Sequence, residues 1–102
     1  MNRDGIIATY ILASGRNGTL YIGVTSDLRA RISQHKHGMI EGFSKRYGCK
    51  LLVWYEPFEF ITSAIKREKQ LKRWLRAWKL RLIDERNPQW RDLADDLWDA
   101  RL

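Results

Sequence analysis

The 102-residue chain contains one cysteine, Cys49. An internal disulfide is therefore impossible, and a cysteine-rich zinc site is excluded. There are two prolines, Pro57 and Pro88, and no internal repeat, low-complexity tract or linker. No apolar run approaches the ~18 residues that a membrane span requires. The first twenty residues lack the charged, apolar and small-residue blocks of a signal peptide, so the expectation is a cytoplasmic protein without membrane contact. Acidic residues are scarce, at twelve Asp and Glu against nineteen Lys and Arg. What is present is globular composition, with 44% hydrophobic and 30% charged residues. Aromatics reach 12%, too many for a solvated tail. The length predicts one domain over residues 1–102, with a modest core.

The positive excess of +7 is unevenly spread. Residues 62–82 hold eight basic side chains and a single acid, Glu68, whereas residues 83–102 are net acidic. Basic charge concentrated on one segment of a small domain points to a polyanion, nucleic acid before membrane. The plainer alternative is a solvated basic helix face.

Residues 5–13, GIIATYILA, read as a strand, SGRNG at 14–18 as a turn, and TLYIGV at 19–24 as a second strand paired with the first. Thr25, Ser26 and Asp27 offer capping oxygens to a helix over Leu28 to His37. Residues 43–49 read as a loop, and LLVWYE at 51–56 as a third strand stopped by Pro57. A helix begins near Ile61, breaks near Arg76 and continues to about Glu85. Asn87 and Pro88 read as the cap and first turn of a last helix to Leu102, with Trp90, Leu93, Ala94, Leu97 and Trp98 on one stripe. The order β-β-α-β-α-α-α predicts an α+β domain in which helices flank a small three-stranded sheet, antiparallel or mixed.

Several residues sit where composition alone does not explain them. On a helical wheel, Ile61, Ile65 and Leu75 define an apolar stripe, and Glu68 falls within about 20° of Ile61. An inward carboxylate needs a positive partner, whether Lys72 one turn on, an arginine or a metal ion. Arg31 and His35 share a helix face at the border of the core. They are placed either to clamp a phosphate or simply to pack. A four-residue loop over 14–17 sets Tyr10 opposite Tyr21, either as a sheet-stabilising pair or as part of a site. Gly23 lies on the same side and leaves an open patch beside Tyr21.

Ala8-Thr9-Tyr10, Tyr21-Ile22-Gly23, Arg31, His35 and Glu68 together resemble the GIY-YIG nuclease superfamily, across nearly the whole chain. The most specific stretches are YIGVTSDLRARISQH, residues 21–35, and AIKREKQLKRW, residues 64–74. The likeness is greatest to small stand-alone bacterial members, related to the nuclease domains of the excinuclease C subunit and of homing endonucleases. Ala8-Thr9 departs from the family's Gly-Ile at two structural positions, while the tyrosine is kept.

The resemblance implies a GIY-YIG endonuclease fold and metal-dependent hydrolysis of DNA phosphodiesters, with 5′-phosphate and 3′-hydroxyl products, in DNA repair or recombination. RNA is the other substrate to consider. Catalytic residues would be Tyr10, Tyr21, Arg31, His35 and Glu68. Glu68 would hold one divalent cation, Mg²⁺ or Mn²⁺. Arg31 would stabilise phosphoryl charge, Tyr10 would position or deprotonate the attacking water, and Tyr21 and His35 would orient the reactants. For Tyr10 to act as a base, nearby positive charge must depress its pKa. Gly23 and Asn87 are accessory positions, and Asn87 also serves as a plain cap. Lys66, Lys69, Lys72, Arg73 and Arg76 would bind the nucleic-acid backbone without sequence preference. The competing expectation is a nucleic-acid-binding module of the same fold that cleaves little alone and relies on a protein partner.

Overall fold

A computed structural model describes residues 5–98. Three strands, β1 (Ala8–Ala13), β2 (Leu20–Thr25) and β3 (Leu51–Pro57), form one antiparallel sheet in the order β2-β1-β3. Helices α1 (Leu28–Lys36), α2 (Phe43–Arg46), α3 (Ile61–Arg73), α4 (Arg76–Arg86) and α5 (Ala94–Leu97) surround it. This is the expected α+β class, with the short α2 added in the segment read as a loop.

The central strand β1 is buried along its whole length. Its alternation sends Tyr10 and Leu12 to one face, where Leu28 and Ile32 of α1, Leu52 and Leu97 complete a core. Ile11 and Ala13 face the other way, into a second core with Ile22, Trp54, Leu71 and Ile83. Burying each large aliphatic side chain contributes roughly 1.5–3 kcal/mol, so both layers are needed to hold so small a sheet. A register shift between Ile11 and Leu12 leaves Val53 as the extra residue on β3.

The hairpin loop is longer than the sequence suggests. Ala13 pairs with Leu20, so the loop spans residues 14–19, and Leu12 rather than Tyr10 lies opposite Tyr21. The hydroxyl of Ser14 accepts from Thr19 N at 2.9 Å, and Asn17 takes a left-handed φ of 56°. The slip is two residues, so every side chain keeps its face. Tyr10 instead pairs with Gly23. The expected open patch there does not exist. A Cβ on residue 23 would lie 2.5 Å from Cζ and Oη of Tyr10, so the phenol ring fills that space.

The α1 cap is Asp27, whose carboxylate accepts from Ala30 N. In α3 the buried residues are Ala64 and Leu71, while Ile61, Ile65 and Leu75 are exposed. The true apolar stripe is thus rotated by about 70° from the expected one, and Glu68 still lies at its border. The break after α3 falls at Trp74 and Leu75, both extended, as Trp74 turns to pack on the second core.

The expected long C-terminal helix is replaced by a strap. Asn87 caps the C-terminus of α4 rather than opening a helix. Its side chain donates to the carbonyls of Val53 and Arg91 and accepts from Arg91 N. Trp90, at φ 55°, packs into the second core, with its indole N–H on Asp84. Leu93 N then donates to Leu52 O, and Asp92 accepts from Leu52 N, covering the β3 edge. Ala94 and Leu97 join the first core. The proposed stripe therefore serves two faces of the sheet. Its continuation through Asp99 to Leu102 lies outside the described residues.

Gly23→Ala is expected to lower stability by about 1–3 kcal/mol, because the added methyl overlaps a ring that has no room to move. Urea unfolding measures this, and an unchanged midpoint would contradict the packing described.

Candidate active site

Tyr10 projects from β1 with its ring over Gly23 and its hydroxyl oxygen 2.9 Å from His35 Nε2. His35 is brought there by α1, on the same buried face as Leu28 and Ile32. Its other ring nitrogen, Nδ1, lies 2.9 Å from Ser44 Oγ on α2. Tyr21 of β2 completes an aromatic triangle, with its ring centroid 6.3 Å from that of Tyr10 and 5.4 Å from that of His35. Phe43 of α2 stacks on Tyr21 at 6.4 Å, nearly parallel. Tyr21, Phe43, Lys72 and Lys79 line a hollow beside this cluster.

Glu68 approaches from α3. Its side chain is only 13% exposed, and Oε2 lies 2.7 Å from the Lys72 ammonium one turn on. Of the positive partners open to an inward carboxylate, Lys72 is the one in place, and Glu68 is largely covered but not fully buried. Among the described residues, no three His, Cys, Asp or Glu side chains form a closed ligand set. Glu68 stands as a single carboxylate whose oxygen already accommodates a cation. That suits a hard divalent ion that keeps most of its waters and takes one carboxylate ligand.

The electrostatics differ from expectation at Tyr10. Its pKa is raised well above the ordinary phenol value, by burial first and then by Tyr21, with Glu68 adding to the effect. Arg31 opposes this through its nearby positive charge but does not prevail. The depression that a phenolate base needs is absent, and Tyr10 is a neutral phenol. Tyr21, Arg31 and Glu68 thus lie within electrostatic reach of Tyr10. His35 is pushed down to about 4, by burial first and by the Arg31 charge second, so it is a neutral imidazole at physiological pH.

The structure therefore gathers Tyr10, Tyr21, Arg31, His35, Glu68 and Lys72. Gly23 lies against the Tyr10 ring, but the other expected residues are not brought to this cluster. Lys66, Lys69 and Arg73 lie roughly 100–160° around α3 from Glu68, where they border a hollow with Trp74 and Trp78. Arg76 donates to the carbonyls of Asn17 and Gly18 in the hairpin loop. The Asn87 amide is committed to β3 and the strap. Ser44, Phe43 and Lys79 were not foreseen. The first two ride on a four-residue helix, too short to produce a hydrophobic period.

A family model described as the GIY-YIG catalytic domain matches residues 6–81. The chain belongs to the GIY-YIG family. It is also similar to the UPF0213 protein of Staphylococcus aureus strain Mu3, and to those of strains Mu50 and N315. Each is 39% identical over 70 residues, covering 69% of this chain and 85% of the relative. No solved structure matches. The GIY-YIG family is one of nucleases, generally endonucleases that act on DNA with a divalent metal. Among the described residues, no helix is long and apolar enough to cross a membrane.

The His35 shift carries a sign. Free histidine titrates near 6.5, whereas the folded chain does not take up this proton until about pH 4. The unfolded state therefore binds more protons between these values. The contribution of the neutral imidazole is intact above the higher value and is lost as pH falls toward the lower one. Urea unfolding at stepped pH is expected to show a loss of stability across this window that His35→Gln abolishes. Identical acid-side slopes in the two proteins would count against a buried, neutral His35.

Proposed function

We propose that this GIY-YIG chain is a metal-dependent endonuclease that hydrolyses DNA phosphodiester bonds to 5′-phosphate and 3′-hydroxyl ends, in DNA repair or recombination. The observation that carries the reading is the convergence of Tyr10, Tyr21, Arg31, His35 and Glu68, from β1, β2, α1 and α3, around one buried phenol. A module that only binds nucleic acid has no need of that set.

Glu68 is the residue that would hold Mg²⁺ or Mn²⁺, whose charge offsets that of the phosphate and of the departing 3′ oxygen. Arg31 stabilises negative charge on the phosphoryl oxygens, since its guanidinium charge already acts at Tyr10. Tyr10 enters as a neutral phenol and orients the attacking water by its hydroxyl. Ionising it draws on the Arg31 charge, with His35 Nε2, 2.9 Å away, as the nearest acceptor for its proton. Tyr21 and Phe43 wall the hollow, and Lys72 and Lys79 supply positive charge at its edge. Lys66, Lys69 and Arg73, on the outer face of α3, hold the backbone away from the cut. These are phosphate contacts, so binding is non-specific and falls steeply between about 50 and 300 mM salt. Affinity that is flat over that range would contradict it.

The second reading is a nucleic-acid-binding module that does not turn over alone. The observation on its side is the Lys72 ammonium seated on Glu68. Plasmid nicking with Mg²⁺ or Mn²⁺ separates the two. Wild-type chain is expected to nick supercoiled DNA and to stop in EDTA. Glu68→Gln is expected to bind DNA without nicking it, and Tyr10→Phe to nick about 10²–10⁴ times more slowly with binding unchanged. Nicking by Glu68→Gln at the wild-type rate would remove the metal role of Glu68. Binding without cleavage under every metal would leave the second reading standing.

A further inference from the structure

The Tyr10–His35–Ser44 row contains one residue to which no role has been given. Ser44 is 3% exposed, and its hydroxyl points not along its own helix but at His35 Nδ1, 2.9 Å away. Among the described residues it has no other side-chain hydrogen bond. A neutral imidazole offers one donor and one acceptor nitrogen, so two arrangements suit these distances. In one, Tyr10 donates to Nε2 and Nδ1–H donates to Ser44. In the other, Ser44 donates to Nδ1 and Nε2–H donates to Tyr10.

The Tyr10 end decides between them. The phenol is fully buried, and among the described residues His35 Nε2 is its one hydrogen-bonding partner at normal distance. The Arg31 guanidinium can only donate, so it competes for the lone pairs of the phenol oxygen and offers no acceptor for its proton. If Nε2 also carried a proton, two donors would face that oxygen, and the phenol proton, held near the ring plane of a fully buried residue, would have no partner. The other arrangement leaves only the freely rotating hydroxyl proton of Ser44, which keeps 3% exposure. We propose that Ser44 is a positioning residue that accepts from His35 Nδ1–H and so holds the ring with unprotonated Nε2 facing the Tyr10 hydroxyl.

This follows the general logic of a base oriented by a third group on its far nitrogen. It explains why α2 exists. The four-residue helix carries Ser44 under the His35 ring, and Cys49 N anchors it by donating to Ser44 O at 2.8 Å. Only the consequence for rate rests on the endonuclease reading; the tautomer is a property of the folded chain.

The test is nitrogen-15 NMR of the His35 ring at neutral pH, on the full chain without metal or DNA. Wild-type protein is expected to carry the ring proton on Nδ1, the minority form of free histidine in water. Ser44→Ala removes the acceptor and is expected to shift the population toward the Nε2–H form. Ser44→Thr keeps a hydroxyl and is expected to retain the wild-type pattern. A wild-type ring protonated on Nε2, or a Ser44→Ala spectrum equal to wild type, overturns the proposal. The wild-type measurement decides the tautomer even if the alanine variant does not fold.

With supercoiled plasmid, Ser44→Ala is expected to lower kcat at least tenfold with KM unchanged, and Ser44→Thr to restore it. A rise in KM alone overturns the effect on rate. If wild-type chain nicks no DNA, the endonuclease reading fails, while the NMR result still decides what Ser44 does.

Discussion

The site rests on one close packing. Tyr10 stands at the middle of a strand that is covered on both faces, and its ring occupies the volume where residue 23 would carry a Cβ. Glycine is required there by space, not by backbone angle. Because the ring is clamped between β2 and α1, its oxygen has one place to be, 2.9 Å from His35 Nε2. The aromatic triangle, the approach of Arg31 and the imidazole–serine contact all take their positions from that oxygen. Burial that fixes the phenol also keeps it neutral, and keeps His35 neutral beside it. Preorganisation and easy proton loss pull in opposite directions here, and in the resting chain preorganisation prevails.

The charges of α3 divide by face. Glu68 and Lys72 face the phenols and the hollow next to them, while Lys66, Lys69 and Arg73 lie around the helix from them. Repulsion among these cations is relieved partly by Glu68 and partly by Glu56, which pairs with Arg67 at 2.9 Å. Arg67 also lies over the rings of Trp54 and Trp74, so one guanidinium serves an ion pair and two indole faces. The basic excess of residues 62–82 is therefore not one binding stripe. Part of it builds the protein, as with Arg67 and Arg76. Lys72 is held by Glu68, and Lys66, Lys69 and Arg73 remain on the outer side of α3.

Much of this could be read from residue order. Strand alternation placed Tyr10 and Tyr21 on a common face, and a two-residue error in loop length did not matter because side-chain direction repeats every two residues. Glu68 was legible for a similar reason. The anchors chosen for its helix, Ile61, Ile65 and Leu75, prove exposed, yet a carboxylate between Ala64 and Leu71 lies near the buried side on either setting. The C-terminal segment misled. Its spacing of Trp90, Leu93, Ala94 and Leu97 imitates a helical stripe, but Trp90 packs on one layer and Ala94 and Leu97 on the other. Periodicity reports which residues want burial and not which surface receives them.

Residue order alone determined the class of fold, the pairing of the first two strands, the capped helix after them and the candidates Tyr10, Tyr21, Arg31, His35 and Glu68. The first three follow from local propensity or from a period within one element, while the candidates were joined into one set by the resemblance to the family, with Glu68 also marked by its helical period. Only the folded chain decided that residue 23 makes room for a phenol, that Asn87 and Arg76 are spent on holding loops, and that Ser44 lies beneath His35. Those assignments depend on residues 13, 34, 58 and 9 positions apart in the chain meeting at atomic distance. No local pattern encodes such a meeting, because it is the packing of both layers against one buried strand that brings the partners together.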